Sequence, residues 1–446
     1  MNRLCMQAQV SLGRILLTVM ITLVLSSAAL AGVTEQAIHT FTGGTTDGSN
    51  PLSALIADKA GNLYGTTLTG GGYPNCSPFG QSCGVVFQLV PKTGGGWNEN
   101  VLYTFTGQAG GGYSYSSLVM DAGGNLYGTT DLGGSPTGGC PGGTCGTVFE
   151  LSPPQQQGGA WTETVLYSFC SQPGCVDGAY PQDRLILDAD GNLYGTTNVG
   201  GVQGGCNTDG FAGYGCGVVF ELAHTKSGWK EGVLYSFAGA ADGGFPYAGI
   251  IFDKAGNIYG TTNGEGFSGA GTVYELVKGT KSWTESTLYS FTGGADGGYS
   301  VAPLILDPAG NLYGTAEGGG ANYYGTVFEL EKTGSNWTEK TLYTFTGGQD
   351  GGYPSASLVL EGKSLYGTAY GGGNFVNCYT GCGSVFSLTS GSNGWTEKTL
   401  YTFQGGADGG EPDNALLIDT KKKVGYGTTV IGGDHDTLGV VYEIAP

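Results

Sequence analysis

The strongest candidates for a binding or catalytic role in this 446-residue chain lie in two short polar segments, although none of its 36 acidic residues stands in a recognisable catalytic motif. Arg184, the sole arginine after residue 31, directly follows Asp183. The other segment reads Glu411-Pro412-Asp413-Asn414. A planar guanidinium can hold an anionic or hydroxyl-rich ligand, with nearby acids and amides supplying acceptors. The same groups could instead form a salt bridge that fills the space between them, and the sequence leaves both alternatives open.

The histidines and the repeated aspartates give weaker signals. His39, His224 and His435 lie far apart, and no spacing brings them into a Ser-His-Asp triad or a metal site. Aspartates in Asp-Gly loops could bind Ca²⁺, but Asp-Gly is also an ordinary turn dipeptide. The six aspartates are Asp47, Asp177, Asp242, Asp296, Asp350 and Asp408. The turn interpretation is favoured, so no metal or cofactor is predicted and no catalytic residue is identified.

One motif recurs along the chain and must position these residues. Its clearest copy is Asp307-Pro308-Ala309-Gly310-Asn311-Leu312-Tyr313-Gly314-Thr315. The tyrosines of seven copies lie 53 to 67 residues apart, at Tyr64, Tyr127, Tyr194, Tyr259, Tyr313, Tyr366 and Tyr426. Self-similarity at such a period is the signature of a repeat architecture.

Each copy reads as four short strands. In the fifth copy, apolar residues 304–306 lead into an Asp-Pro-Ala-Gly-Asn turn, and residues 312–315, 325–330 and 337–345 are β-prone. No segment shows helical periodicity. Four antiparallel strands in each unit match a propeller blade. The orphan strand Thr34–Phe41 and the final strand Val440–Ile444 complete one blade together, so the sequence predicts an all-β, seven-bladed β-propeller closed by its N-terminal strand.

This fold would bring the two polar segments together. The first strand of each blade lines the central channel, and most copies carry small residues at its start, as in Ala248-Gly249. Blade three has Asp183-Arg184 there, and blade seven has the segment from Glu411 to Asn414. In a ring of seven, these blades lie roughly across the channel from each other. We therefore expect Asp183, Arg184, Glu411, Asp413 and Asn414 to form a ligand site or a plug.

Aromatic residues provide a second candidate surface. One position just before the first strand carries Tyr113, Tyr180, Phe245, Tyr299 and Tyr353. Exposed aromatics suit glycan or protein recognition, although these rings could simply pack between blades. Six tryptophans share another position, at the start of the fourth strand, and packing is favoured for them; they are Trp97, Trp161, Trp229, Trp283, Trp337 and Trp395.

Composition indicates the compartment and excludes some partners. Residues 1–31 have a basic start, an apolar run at 15–25 and Ala29-Leu30-Ala31, which predicts a Sec-type signal peptide cleaved after Ala31. Residues 32–446 would form the propeller, secreted or periplasmic, without a membrane span and as a monomer. The formal net charge of −19 argues against a nucleic-acid partner.

Ten cysteines remain after residue 31 and lie in five local pairs. In an exported chain this favours disulfides over metal binding. The pairs are Cys76/Cys83, Cys140/Cys145, Cys170/Cys175, Cys206/Cys216 and Cys378/Cys382. Four of the pairs lie in the four longest loops between second and third strands, so we interpret them as staples of long loops.

The strings Gly-Asn-Leu-Tyr-Gly-Thr-Thr, Gly-Thr-Val-Phe-Glu-Leu and Leu-Tyr-Ser-Phe-Thr-Gly-Gly-Ala-Asp-Gly-Gly resemble the Gloeo/Verruco (GloVer) tandem repeat. The chain is similar to the choice-of-anchor GloVer-containing exported bacterial proteins, and its Asp-x-x-Gly-Asn-Leu-Tyr core is also similar to SBBP-type β-propeller repeats. The resemblance implies an extracytoplasmic repeat protein and offers no catalytic residues to transfer. We therefore expect a non-catalytic module that binds a protein or a glycan on its loop-rich face. The alternative is a carbohydrate-active enzyme, a lyase or a hydrolase, with its site at the channel mouth.

Overall fold

The computed structural model describes residues 33–73, 76, 82–134, 144–156, 158–202, 205–206, 215–266, 268–433 and 438–445. The predicted signal peptide at 1–31 lies outside these residues. Seven four-stranded antiparallel sheets follow one another along the chain. We number their strands one to four from the channel outwards. The prediction of a seven-bladed β-propeller is confirmed.

The strand bounds show a short first strand and a long fourth strand in most blades. Blades one to three contain Ile56–Ala57, Leu63–Thr66, Val85–Pro91 and Trp97–Thr104; Val119–Met120, Leu126–Thr130, Thr147–Ser152 and Thr162–Ser168; and Ile186–Leu187, Leu193–Thr197, Val218–Thr225 and Gly228–Ser236. Blades four to six contain Ile251–Phe252, Ile258–Thr262, Thr272–Lys278 and Trp283–Ser290; Ile305–Leu306, Leu312–Ala316, Thr326–Thr333 and Asn336–Thr344; and Val359–Glu361, Ser364–Ala369, Ser384–Gly391 and Gly394–Thr402. Helical structure in the described residues is limited to the single 3₁₀ turns Gln108–Gly110, Pro173–Cys175 and Ala240–Asp242.

The two ends of the chain share blade seven. This blade contains Leu417–Asp419, Val424–Thr429 and Val440–Ala445, and its fourth strand is Thr34–Thr40. The pairing runs antiparallel from Thr34 opposite Ala445 to Thr40 opposite Val440. Phe41, just beyond the strand, is fully buried and meets the Phe87 ring of blade one at 5.1 Å. The predicted closure is therefore confirmed.

The aspartate of the repeated motif organises the turn between the first two strands. In blade five, Asp307 Oδ1 accepts hydrogen bonds from the backbone N–H groups of Ala309 and Asn311, at 2.8 and 2.9 Å. Its Oδ2 accepts a third from the Asn311 side chain at 3.0 Å, and the Tyr313 hydroxyl lies 3.4 Å away. Blades one to four repeat this arrangement around Asp58, Asp121, Asp188 and Asp253. The motif is thus a turn with its own hydrogen-bond acceptors.

The glycine of the motif makes room for an aromatic ring. A Cβ atom at Gly314 would lie 2.5 Å from Phe328 Cζ and 2.8 Å from a methyl group of Leu304. Phe328 and Leu304 are both fully buried. The third-strand ring therefore crosses the second strand at this glycine and packs into the core between blades.

The two variable loop sets lie on one face. Backbone bridges pair the loop before a blade with the loop between its second and third strands, as between Gly112 and Leu132 or Gly298 and Gly318. In blade one the pairing forms a ribbon of Gly48–Ser49 with Thr69–Gly70. We call this surface the loop face. The channel opens onto it where each first strand begins.

Four predicted disulfides are present within the described residues, at Cys76–Cys83, Cys170–Cys175, Cys206–Cys216 and Cys378–Cys382. Cys145 is also disulfide-bonded, while its predicted partner Cys140 lies outside the described residues. Disulfides persist in oxidising compartments, so they are consistent with an extracellular or periplasmic protein. The described residues contain no helix long and apolar enough to cross a membrane.

Candidate functional site

A cavity of about 640 Å³ is lined by residues from all seven blades and is the central channel. Its walls away from the loop face are apolar, with Ile56, Val119 and Met120 among them. Near the loop face the lining becomes polar and includes the predicted residues Asp183, Arg184, Asp413 and Asn414. The first strands therefore line the channel, and the channel gathers the residues that depart from the repeat.

One ring of side chains surrounds the channel where it meets the loop face. Each blade contributes the residue four positions before its first strand begins, and all seven are partly exposed to the cavity. We call this set the mouth ring: Leu52, Tyr115, Gln182, Tyr247, Val301, Ser355 and Asp413. Of this ring, only Asp413 was predicted from the sequence. The missed signal was a fixed offset at which almost every blade carries a different residue type.

Asp183 ties blade three to blade four. Its Oδ1 accepts a hydrogen bond from the backbone N–H of Arg184 at 2.5 Å, and its Oδ2 accepts one from Gly249 at 2.6 Å. A Cβ atom at Gly249 would stand only 3.2 Å from Arg184 Cγ, so the glycine allows this close approach. Burial raises the pKa of Asp183, although the two hydrogen bonds oppose the rise. Both carboxylate oxygens are therefore engaged by backbone groups.

At Asp183, burial raises the pKa and the charge of the neighbouring Arg184 opposes the rise, but the Arg184 side chain forms no ion pair with that carboxylate. Among the described residues no carboxylate forms an ion pair with its guanidinium, and its buried Nε has no hydrogen-bond acceptor. The Nδ2 of Asn414 is likewise buried and lacks an acceptor within the described part of the chain. The plug in which Arg184 pairs with the acids across the channel is thus not seen there. Two hydrogen-bond donors remain available in the channel wall.

Asp413 lies in an acidic group on the blade-seven side. The Ser355 hydroxyl donates a hydrogen bond to Asp413 Oδ1. Burial raises the pKa of Asp413 to about 7, and the nearby charges of Glu317 and Glu411 add to the rise. Glu411 itself accepts a hydrogen bond from the Tyr370 hydroxyl at 2.8 Å. Near neutral pH, Asp413 can therefore be either a donor or an acceptor.

A second carboxyl group with a raised pKa lies beside the mouth ring. Gln182 Nε2 donates a hydrogen bond to Asp131 Oδ1 at 3.0 Å, and burial raises the pKa of Asp131 to about 6. Tyr115 of the mouth ring lies near enough to both acidic groups to be affected by their charges. Burial, with the charges of Asp131 and Asp413, raises the pKa of Tyr115 to about 12. The mouth ring thus combines amide, hydroxyl and carboxyl groups around one opening, and the Arg184 guanidinium lies in the channel lining beside it.

The predicted half-ring of aromatics divides into two groups. Tyr113, Tyr180 and Phe245 are 7–8% exposed and pack inside the loop face. Tyr353 is half-buried, and Tyr299 is 44% exposed. A binding role at the rim remains a prediction for Tyr299 and Tyr353.

The other candidates from the sequence, namely the Asp-Gly aspartates, the tryptophans and His224, take part in hydrogen bonds or packing within the fold. The Asp-Gly aspartates serve as loop acceptors, as when Asp296 accepts hydrogen bonds from the Thr292 backbone at 2.8 Å and the Tyr289 hydroxyl at 2.9 Å. The tryptophans are half-buried and pack on tyrosines of nearby blades, at centroid separations of 5.8–6.2 Å for Trp97, Trp229, Trp337 and Trp395. His224 lies beside Trp229, and His435 lies outside the described residues.

Solved structures resemble this chain only at low similarity. One is a provisionally assigned 6-phosphogluconolactonase from Bacteroides uniformis, with 15% identity, a TM-score of 0.49, and coverage of 84% of this chain and 89% of the other. A protein of unknown function from Dyadobacter fermentans has 12% identity, a TM-score of 0.43, and coverage of 93% and 100%. An ulvan lyase bound to a GlcA–Rha3S saccharide has 12% identity, a TM-score of 0.46, and coverage of 82% and 88%. At these values the likenesses carry no argument about activity.

No curated protein matches this sequence. The model of the Gloeobacter/Verrucomicrobia repeat matches it at residues 24–210 and again at 204–380, which together span most of the chain. The motif tyrosines and the blades they belong to recur through these stretches. The chain therefore belongs to the Gloeobacter/Verrucomicrobia repeat family.

Proposed function

We propose that this protein is an exported binding module that takes a saccharide at the loop-face end of its channel. The observation that carries the proposal is the pair of buried donors, Arg184 Nε and Asn414 Nδ2, that lack acceptors among the described residues. Leaving such groups unsatisfied costs about 1–3 kcal/mol each, more for charged groups, and a ligand oxygen would remove that cost. Both residues line the same cavity.

The composition of the mouth ring favours a hydroxyl-rich ligand. Tyr115 and Tyr247 offer rings against which the face of a sugar can pack, while Gln182 and Ser355 offer hydrogen bonds. A multiply charged anion would meet Asp131, Glu317 and Glu411 nearby, so a neutral sugar or one with a single carboxylate for Arg184 fits better. The cavity volume lies within the range of about 300–1,000 Å³ that is usual for small-ligand sites.

Arrays of neutral, uronate-containing and sulfated oligosaccharides test the proposal, with Arg184→Ala and Tyr115→Ala as site variants. We expect both variants to lose at least about tenfold in affinity, or roughly 1.4 kcal/mol. Tyr379→Ala is the matched control, because Tyr379 is 99% exposed on a loop of blade six, outside the channel lining. If both site variants still bind the saccharide and Tyr379→Ala does not, the binding site lies on the rim of the loop face and the proposed channel site is wrong.

A second candidate function is saccharide cleavage at the same opening. Asp413 favours it, because a carboxyl group with a pKa of about 7 can act as a general acid near neutral pH. The clustered polar side chains of the mouth ring are also what a catalytic propeller would require. Any saccharide found on the array should be incubated with the protein and followed for new reducing ends and for unsaturated uronate. Release of either product by the wild type but not by Asp413→Asn would show that the protein cleaves the saccharide. If the saccharide stays intact, the protein only binds it.

A further inference from the structure

The interface between blade seven and blade one differs chemically from the other blade interfaces. In five other interfaces, the hydroxyl of a fourth-strand tyrosine donates a hydrogen bond to the aspartate of the following loop. A fourth-strand glutamate of the next blade lies near each of these aspartates, as Glu285 does near Asp242. At the chain closure, the tyrosine position is occupied by His39, next to Asp47 and Glu99. Histidine brings a metal-binding nitrogen to a place where the other blades have a phenol.

The three side chains converge on one small space. His39 Nε2 lies 3.8 Å from Asp47 Oδ1 and 3.9 Å from Glu99 Oε1. Three ligand atoms, one from each residue, all lie within 4.8 Å of one another. The side chains are well enclosed, with exposures of 17%, 8% and 17% for His39, Asp47 and Glu99. This cluster was not predicted from the sequence, because its members come from three separate elements.

Among the described residues, two of the three ligand atoms lack hydrogen-bond partners, whereas the Asp47 carboxylate is already a hydrogen-bond acceptor. Its Oδ1 accepts a hydrogen bond from the Gly48 backbone N–H at 2.6 Å, and its Oδ2 accepts one from the Thr42 backbone N–H at 2.7 Å. A carboxylate oxygen has two lone pairs, so these bonds leave Asp47 able to bind an ion as well.

His39 Nε2 and Glu99 Oε1 are buried, and neither has a hydrogen-bond partner in the described residues. Their separations are too long for direct hydrogen bonds. With metal–ligand bonds of about 2.0–2.2 Å, tetrahedral ligand atoms stand roughly 3.3–3.6 Å apart. The two distances from His39 Nε2 would therefore each shorten by about 0.2–0.6 Å around an ion. The T-shaped contact of the His39 ring with Phe41, at 4.6 Å, holds the imidazole in place.

We propose that His39, Asp47 and Glu99 form a site for a divalent transition metal of the zinc class. One imidazole nitrogen and two carboxylate oxygens suit Zn²⁺, and water can supply the fourth ligand. The ion would connect the N-terminal strand, the loop that follows it and the fourth strand of blade one. Its role is structural, since it joins the closing strand to the next blade at the point where the ring is completed.

The repeat itself supplies the matched variant for a test. His39→Tyr restores the residue that the other blades use, so it should fold while losing the metal-binding nitrogen. The purified full chain is stripped with a chelator, dialysed against Zn²⁺, and measured for bound zinc and for melting temperature. We expect about one zinc ion per wild-type chain and a rise in Tm of about 3 °C at a hundredfold excess over Kd. His39→Tyr and Glu99→Gln should bind no zinc and show no rise.

His224→Ala serves as the control for adventitious surface binding and should behave like the wild type. Zinc retained at one ion per chain in His39→Tyr would overturn the proposal, as would a wild type that binds none. Preference for Ca²⁺ over Zn²⁺ would also overturn it, because imidazole is not a calcium ligand.

Discussion

Carboxylates of like charge face each other where the blades meet. Glu231 of the third blade lies close to Asp177 of the preceding loop, and burial, with a smaller contribution from Asp177, raises the pKa of Glu231 to about 7. Glu35 shows the same rise to about 7, from burial and then from Asp408. An unfolded glutamate titrates near pH 4.5, so the folded chain holds more protons between about pH 4.5 and 7. These protonated glutamates therefore favour the folded state most below pH 4.5, and this contribution to the free energy of unfolding is lost as the pH rises through 7.

We therefore predict that the melting temperature falls between about pH 5 and pH 7.5. Glu231→Gln should raise Tm at the higher pH and leave it nearly unchanged at the lower one, because the neutral amide replaces a carboxylate that is costly only when ionised. Thermal melts at both pH values provide the measurement. Exposed Glu361→Gln is the control and should have no such pH-dependent effect. An equal change from Glu231→Gln at the two pH values would refute the assignment.

The motif glycine offers a second test with single residues. Gly314→Ala places a methyl group 2.5 Å from the Phe328 ring and should destabilise the fold by about 1–3 kcal/mol through overpacking. Gly232→Ala is the control, since nothing lies within 4 Å of a Cβ atom there. Urea unfolding of both variants gives the comparison. Equal stability of the two variants would mean that the second and third strands can separate at little cost.

At the scale of elements, one position explains why some loops carry disulfides and others do not. The residue before the glycine that opens the third strand is buried as Cys83, Cys145, Cys216 and Cys382 in four blades. Blade four has Ala270 there, 2.8 Å from the place a Cβ atom of Gly298 would occupy, and Cys378 Sγ lies 3.0 Å from the same place on Gly410. The disulfides thus fill a packing position that short loops fill with ordinary side chains.

Because the bridges close small loops, each should contribute about 2–3 kcal/mol. Peptide mapping without reductant should find the four described bridges and the one predicted for Cys140 and Cys145. Replacing Cys378 and Cys382 together by alanine should lower Tm, and the matched double replacement of exposed Tyr379 and Val376 by alanine should not. Free thiols in the untreated protein would contradict the pairing.

The closing strand is the element with the most distant partner. Deleting residues 32–42 removes the fourth strand of blade seven and the fully buried Phe41, so Tm should fall sharply. A Thr34→Ala substitution at its exposed start is the control and should change Tm little. A melting temperature unaffected by the deletion would mean that the other strands hold the ring closed alone.

For the whole molecule, a formal charge of −19 implies repulsion across the ring at neutral pH. Raising the ionic strength from about 10 mM to about 150 mM shortens the Debye length from roughly 30 Å to 8 Å. We expect Tm at neutral pH to rise over this range, and sucrose at equal osmolality serves as the uncharged control. A flat response to salt would show that the acidic groups are spaced too widely to repel.

The architecture was readable from the sequence because each blade repeats the same turn and packing chemistry. A single short strand is hard to predict, but the same pattern in seven copies makes the assignment secure. The blade shared by the two chain ends could be predicted because each end carries an incomplete copy. Arg184 could be predicted because most other blades have a small residue at the corresponding position, just before the first strand. Tyr115, Gln182 and Tyr247 were not found, since a position that varies in almost every blade has no pattern to interrupt. The half-ring of aromatics was only partly informative, because the burial of Tyr113 but not Tyr299 depends on the loops around each ring.

The pairing of Thr34 with Ala445 has a consequence for how the molecule is made. The strand Thr34–Thr40 can pair with its permanent neighbour only after Val440–Ala445 has been synthesised. Until then it is an open edge, and the six complete blades between them form an arc that can still flex. Chains that stop before Val440 leave this edge permanently exposed. Closure of the ring therefore requires that synthesis has passed through the third strand of blade seven.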